Sequence, residues 1–160
     1  MTRDDYILLD DDDLAKQCRL DTFRGSGPGG QHRNVTDSAV RLTLEANPEI
    51  TVTCCEGRSQ HDNRKLAVRR LRLTLATDWR LPELTALDGK LPARRDPAYA
   101  LHLARLLDAL ALHGAQVGDA AKALGLSTGQ YIKQLALDDA IWATAIQLRQ
   151  AAGLKALKRN

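Results

Sequence analysis

Gly29, Gly30 and Gln31 lie in the stretch Gly25, Ser26, Gly27, Pro28, Gly29, Gly30, Gln31, which holds four glycines and a proline in seven residues. That composition excludes a helix interior and a central strand, so the stretch reads as an exposed loop. Two adjacent glycines let the backbone take a positive φ, and a backbone without side chains can approach a substrate closely. A main-chain N–H presented in this way, here that of Gln31, can stabilise an oxyanion that develops during acyl transfer. The Gln31 side chain adds a neutral amide that can orient or limit a nucleophile. The loop contains no strong base or nucleophile, so chemistry of this kind needs a site completed by another molecule. Taken alone, Gly-Gly-Gln is also what a flexible turn looks like. A phosphate-binding P-loop is poorly supported, because its Gly-Lys-Ser/Thr ending is missing.

The elements that must hold this loop are readable on both sides of it. Residues 10–13 are four aspartates, followed by Leu14, Ala15, Lys16 and Gln17. Carboxylates there suit the positive end of a helix dipole, so a short helix starts at this point. Residues 18–24 alternate and are rich in strand formers, which predicts a strand leading into the loop. Residues 38–44 predict a second strand, 45–49 a turn, and 50–55 a third strand that forms a hairpin with the second. From Ser59 to about Ala76, apolar residues lie among basic ones. The pattern is partly alternating, but the segment is long and free of Gly and Pro, so it reads as a helix.

Residues 80–97 hold three prolines and Gly89 and read as an irregular connection. An Ala/Leu-rich, all-helical composition follows. Pro97 suits the first position of a helix over 97–112, with Gly114 as its stop. A short helix over 119–124 ends at Gly125. Ser127 and Gln130 form a capping-box pattern that opens a third helix to about Leu137, and Asp138 or Asp139 opens a fourth to about Ala152. The fold class expected is therefore α+β. A small domain over 1–80, with a three-stranded sheet packed by a long helix, is followed by a linker over 81–96. An all-α module over 97–160 completes the chain.

Composition and charge bound the function. The chain has 160 residues, 44% of them hydrophobic, which is enough for a core. No apolar run reaches the length of a membrane span, and the acidic first residues have no signal-peptide core, so a cytoplasmic protein without membrane contact is expected. Three cysteines, two of them adjacent, do not suggest a disulfide framework. Cys54 and Cys55 point to opposite faces of a strand, and no ligand spacing supports zinc, so no metal and no cofactor are expected. His102 and His113 read as ordinary helical residues, and Trp79 and Trp142 as packing anchors. The net charge is only +3. Its distribution is uneven: acidic up to residue 23, then basic, with Arg64, Lys65, Arg69, Arg70 and Arg72 crowded together. Such a zone suits a polyanion and is equally what a solvated helix face looks like.

The context of the glycines narrows this choice. Arg24 through His32, Asn34, then Thr36, Asp37, Ser38, Ala39, Val40, Arg41, Leu42 and Thr43 closely resemble the catalytic domain of class I peptide-chain release factors. So do Asp21, Thr22 and Phe23 before the loop, and Arg58, Ser59, Gln60, His61, Asn63 and Lys65 after it. The resemblance spans roughly residues 14–76. It implies a GGQ domain that enters the peptidyl-transferase centre of the large ribosomal subunit and promotes attack of water on the peptidyl-tRNA ester. Gly29, Gly30 and Gln31 would then be catalytic, the Gln31 N–H stabilising the transition state and its side chain admitting water. The resemblance also implies contacts to rRNA and tRNA from Arg24, Ser26, His32, Arg33, Asn34, Arg58, Gln60, Arg64, Lys65, Arg69 and Arg70, mainly through phosphates. Only about two dozen residues precede the loop, so the expected activity is codon-independent, as in the short ribosome-rescue hydrolases. The alternatives are a catalytically silent ribosome- or RNA-binding factor, or a nucleic-acid-binding protein using a helix-turn-helix over 119–137. In that last reading Gln130, Tyr131, Lys133 and Gln134 would face the nucleic acid. A merely packing helical module is the simpler account of those helices, because the second one carries a single base.

Overall fold

The computed structural model describes residues 1–25 and 37–159. Contacts divide the chain into two compact units, Leu9–Thr74, and Met1–Leu8 together with Leu75–Asn160. Residue patterns put the first boundary at residue 80 and keep the first residues with the first domain. The structure instead assigns the chain's first eight residues to the same unit as the C-terminal helices.

The Leu9–Thr74 unit contains a three-stranded antiparallel sheet in the order β1 (Cys18–Phe23), β2 (Ala39–Leu44), β3 (Thr51–Cys54). The register pairs Cys18 with Leu44 and Phe23 with Ala39, and Val40 with Cys54. Alternation places Val40, Leu42, Leu44, Val52 and Cys54 inside and leaves Arg41, Thr51 and Thr53 exposed. The three strands and the turn at 45–49 fall where the residue pattern puts them.

Two helices flank the sheet in this unit. Helix α2 (Asp11–Lys16) is capped by Asp10, whose carboxylate accepts from the Asp13 N–H at 2.8 Å. The long helix α3 (Gln60–Asp78) buries Ala67, Val68 and Leu71. Arg72 on α3 donates to the Asp11 carboxylate at 2.7 Å and to the Leu9 carbonyl at 2.6 Å, so this member of the basic run is a structural tie.

In the other unit, helix α4 (Pro97–Leu112) is the centre. Every residue from 101 to 110 is buried. A helix covered on all sides must partner its polar groups. His102 meets the Gln134 Oε1 at 2.6 Å, Arg105 meets Asp88 at 2.6 Å, and Asp108 takes Arg3 and Arg80. Around α4 stand α5 (Val117–Ala123), α6 (Thr128–Leu135) and α7 (Asp139–Ala151). Asp96, Ser127 and Asp138 cap α4, α6 and α7 through their side chains, with both halves of the Ser127–Gln130 capping box present. Helix α1 (Arg3–Leu8) also belongs here, and residue patterns do not announce it. Its support is tertiary: Arg3 reaches Asp108, and Tyr6 lies 6.2 Å from the Trp79 ring. No helix among the described residues is long and apolar enough to cross a membrane.

The helix-turn-helix reading places Tyr131 and Gln134 on a nucleic-acid face. Instead Tyr131 is buried, its hydroxyl donating to the Leu106 carbonyl at 2.7 Å, and burial raises its pKa. Gln134 is joined to His102, and Gln130 is used in the cap. Three of the four reading residues are thus engaged within the helical unit.

Candidate functional site

The expected site centres on the connection between β1 and β2. The ladder ends at the Phe23–Ala39 pair, so the chain leaves the sheet after Phe23 and re-enters it at Ala39, with Gln31 midway between these residues in the sequence. Ser26, Gly29, Gly30, Gln31, His32, Arg33 and Asn34 lie outside the described residues. Both stems are described. Arg24 on the outgoing stem stands 3.6 Å from the Asp37 carboxylate on the returning one, both well exposed. A pair this exposed contributes little to stability and leaves the Arg24 guanidinium accessible.

The returning stem is gripped by the start of α3. Ser59 precedes that helix, and its hydroxyl accepts from the Asp62 N–H at 3.3 Å. Gln60, expected to touch RNA, donates from Nε2 to the Asp37 carbonyl at 2.7 Å. Asn63 donates to the Ser38 carbonyl at 2.7 Å. The second contact is one that residue patterns do not announce. Its only local signal is an amide side chain three positions after Gln60 on a helix whose neighbouring residues are charged.

The remaining expected RNA contacts separate into two kinds. Arg58, Arg64, Lys65 and Arg69 are all exposed. His61, Lys65 and Arg69 follow one another at four-residue spacing, so they form a stripe along one side of α3. Arg70 is turned back: its Nη1 lies 2.6 Å from the Glu56 carboxylate and donates to the Cys54 sulfur at 3.3 Å. The hydrogen bond from Arg70 holds the Glu56 carboxyl below its ordinary range, and the same bond raises the arginine. Burial pushes the Cys54 thiol up.

The opposite face of the sheet carries a shallow groove lined by Arg19, Arg41, Thr43, Glu45, Pro48 and Thr51. Arg41 lies over the Phe23 ring at 5.1 Å, and Arg19 pairs with Asp21 at 3.2 Å. With Glu45 and Asp21 beside the two arginines, the groove carries no excess positive charge. The basic surface of this unit is therefore the α3 stripe and the stem of the connection. Among the described residues, no group of three His, Cys, Asp or Glu is gathered as a metal site.

Comparison with known proteins bears on this arrangement directly. The RF-1 domain family matches residues 10–88, a span that holds the sheet, the Gly-Gly-Gln connection and α3. The match and the relatives below support a GGQ domain of the class I release factor family over these residues. Peptide chain release factor 1 of Chlamydia trachomatis serovar L2 is 51% identical over 69 residues, covering 43% of this chain and 18% of that protein. Peptide chain release factor 1 of Chlamydia abortus is 49% identical over 69 residues, with the same coverage. Peptide chain release factor 2 of Variovorax paradoxus is 61% identical over 57 residues, covering 36% of this chain and 15% of that protein. The matches thus take in less than a fifth of each relative's length. Most of the helical unit, including α4 to α7, lies beyond the matched GGQ domain.

Proposed function

We propose that this chain releases the nascent peptide by ribosome-dependent hydrolysis of the peptidyl-tRNA ester. The observation that carries the reading is an intact Gly29, Gly30 and Gln31 at the midpoint of a connection whose stems are paired, inside a matched release factor domain. In this reading water attacks the ester carbonyl carbon. The bond to the 3′ oxygen of the terminal adenosine breaks, and that oxygen takes up a proton, leaving a peptide acid and deacylated tRNA. The Gln31 main-chain N–H is the hydrogen-bond donor for the developing oxyanion or leaving oxygen. The Gln31 side chain limits the nucleophile to water. The ribosome holds the ester, so the protein needs no base of its own.

The partners in this reading are the large-subunit peptidyl-transferase centre, its rRNA and peptidyl-tRNA. Arg24, Ser26, His32, Arg33 and Asn34 would contact RNA around the connection, and Arg58 just before α3 with Arg64, Lys65 and Arg69 along it would meet phosphates. Cytoplasmic action follows from that partner. The finer reading, that release ignores the codon, comes from the likeness to short rescue hydrolases. One assay tests both levels. Ribosomes carrying formyl-methionyl-tRNA in the P site are mixed with the full chain, with the A site either empty or holding a stop or sense codon. Release in all states supports codon independence, and release only with a stop codon overturns that part. Gly30→Ala should abolish release while ribosome binding persists. Equal release by wild type and variant would reject the loop chemistry.

A further inference from the structure

Asn63 is only 1% exposed, and its side chain bonds entirely to backbone. Nδ2 donates to the Ser38 carbonyl at 2.7 Å and to the Gly57 carbonyl at 2.9 Å, while Oδ1 accepts from the Gly57 N–H at 2.8 Å. Gln60, in the same first turn of α3, holds the next carbonyl upstream, that of Asp37. The strand ladder gives no support here, because its last pair is Phe23 with Ala39. Ser38 is nevertheless buried, and a buried carbonyl needs a partner. Two side-chain amides from one helical turn therefore do for residues 37 and 38 what the sheet does from residue 39 onward.

Gly57 completes the device. A Cβ at this position would stand 2.9 Å from the Asn63 Oδ1, closer than packed atoms tolerate. A side chain there would force the Asn63 amide to shift. Gly57, Gln60 and Asn63 come from the β3–α3 junction, whereas Asp37 and Ser38 end the connection that carries Gln31. The clamp thus joins the Gly-Gly-Gln connection to the helix that bears the basic stripe.

We propose that Asn63, assisted by Gln60 and Gly57, is a positioning residue for peptide release: it fixes where the chain that carries Gly29, Gly30 and Gln31 re-enters the sheet at Asp37 and Ser38. The inference rests on the function proposed above. It gives Gln60 a role distinct from RNA contact. A misplacement of about 1 Å at a reacting centre can lower a rate on the order of a hundredfold without any change in what the protein binds.

The test is single-turnover release by the full chain on empty-A-site ribosomes, with rate constant and half-saturating concentration measured separately. Gln60→Ala sits at the surface and keeps the fold. It should lower the rate constant by about three- to tenfold, the loss of one hydrogen bond, and leave half-saturation within about twofold. Asn63→Ala should lower it by tenfold or more, on the order of the loss of a buried bonding group. Gly57→Ala should match Asn63→Ala, and the double variant should be no slower than either, because both changes break the same interaction. A Gln60 variant that raises half-saturation at an unchanged rate constant assigns the residue to RNA contact and overturns the proposal. Rates unchanged in the Gln60 and Gly57 variants overturn it as well. A wild-type chain that releases nothing on any ribosome overturns the proposed function, and the inference with it.

Discussion

Arg3 grips Asp108 with both guanidinium nitrogens, Nη1 to Oδ1 at 2.8 Å and Nη2 to Oδ2 at 2.7 Å, across 105 residues of chain. Asp4 stands on the other side of Arg3 at 2.6 Å. The same Asp108 carboxylate accepts from Arg80 at 3.0 Å and from the Leu81 N–H at 3.3 Å. Burial works against the Arg3 charge, yet Asp108 and Asp4 outweigh it and its pKa is raised. Arg80 fares worse: burial depresses it to about 10 in spite of Asp108. Asp108 thus answers the buried Arg3, together with Asp4, and the half-buried Arg80, and pins the first helix to the central one.

Asp108→Ala should therefore destabilise the helical unit strongly. It removes the buried half of the Arg3 pair, leaving Arg3 with Asp4 alone, and takes the carboxylate from the half-buried Arg80; breaking a buried pair costs about 3–5 kcal/mol. Urea unfolding followed by circular dichroism reads the loss. A midpoint within error of wild type would mean that water already reaches the pair.

Tyr131→Phe separates packing from nucleic-acid reading in the C-terminal helices. The hydroxyl is used on the Leu106 carbonyl inside the unit, so its removal should cost about 0.5–1.5 kcal/mol of stability. Duplex DNA affinity should not change. A variant of unaltered stability that loses duplex binding would restore the helix-turn-helix reading.

The contrast between these two sites explains how far the residue pattern reaches. The strands at 18–24, 38–44 and 50–55 are legible because alternation and turn chemistry are local. The helix starts at Pro97, Ser127 and Asp138 are legible because a first-position proline or a cap is decided within three residues. Helix α1 is not, since a six-residue helix with Arg3 at its start has little local support and depends on a partner in the distant C-terminal helices. For the site, Gly29, Gly30 and Gln31 stand out from their own chemistry. The stem clamp does not, because the Asn63 amide reaches Ser38 across 25 residues of sequence. Nor does charge spacing reveal that Arg72 is buried against Asp11 and that Arg70, though exposed, is paired with Glu56.

Cys18 should respond to alkali. Its thiol donates to the Leu14 carbonyl at 3.4 Å, and burial, with the Glu45 charge behind it, pushes it up to about 11 from an ordinary 9.0. In the unfolded chain the thiol ionises near the ordinary value, whereas in the folded chain it keeps its proton to the higher one. Between the two the unfolded state binds fewer protons, so stability is complete below about pH 9 and falls as pH rises towards 11. The unfolding midpoint of Cys18→Ala should fall less steeply over that window. Iodoacetamide should label Cys18 at pH 8 far more slowly than a free thiol, and labelling at the free-thiol rate would refute the shift.

Lys65 and Arg69 should govern ribosome affinity, while Arg70 should not. The first two are exposed, lie one turn apart on α3, and carry no ion pair among the described residues. Arg70 follows directly in the chain, yet its guanidinium lies 2.6 Å from Glu56. Replacing Lys65 and Arg69 with alanine removes two cations that can each displace a counterion from RNA. The slope of log affinity against log salt should then fall by about 0.7–0.9 for each phosphate left without its cation. Arg70→Ala frees Glu56 and loosens the α3–β3 tie, so it should lower the unfolding midpoint and change the salt slope by less than one phosphate's worth. Sedimentation of the full chain with ribosomes over a salt series gives both slopes. If Arg70→Ala lowers the slope as much as the double variant, Arg70 leaves Glu56 for RNA on binding, and the division of α3 into tied and free bases is wrong.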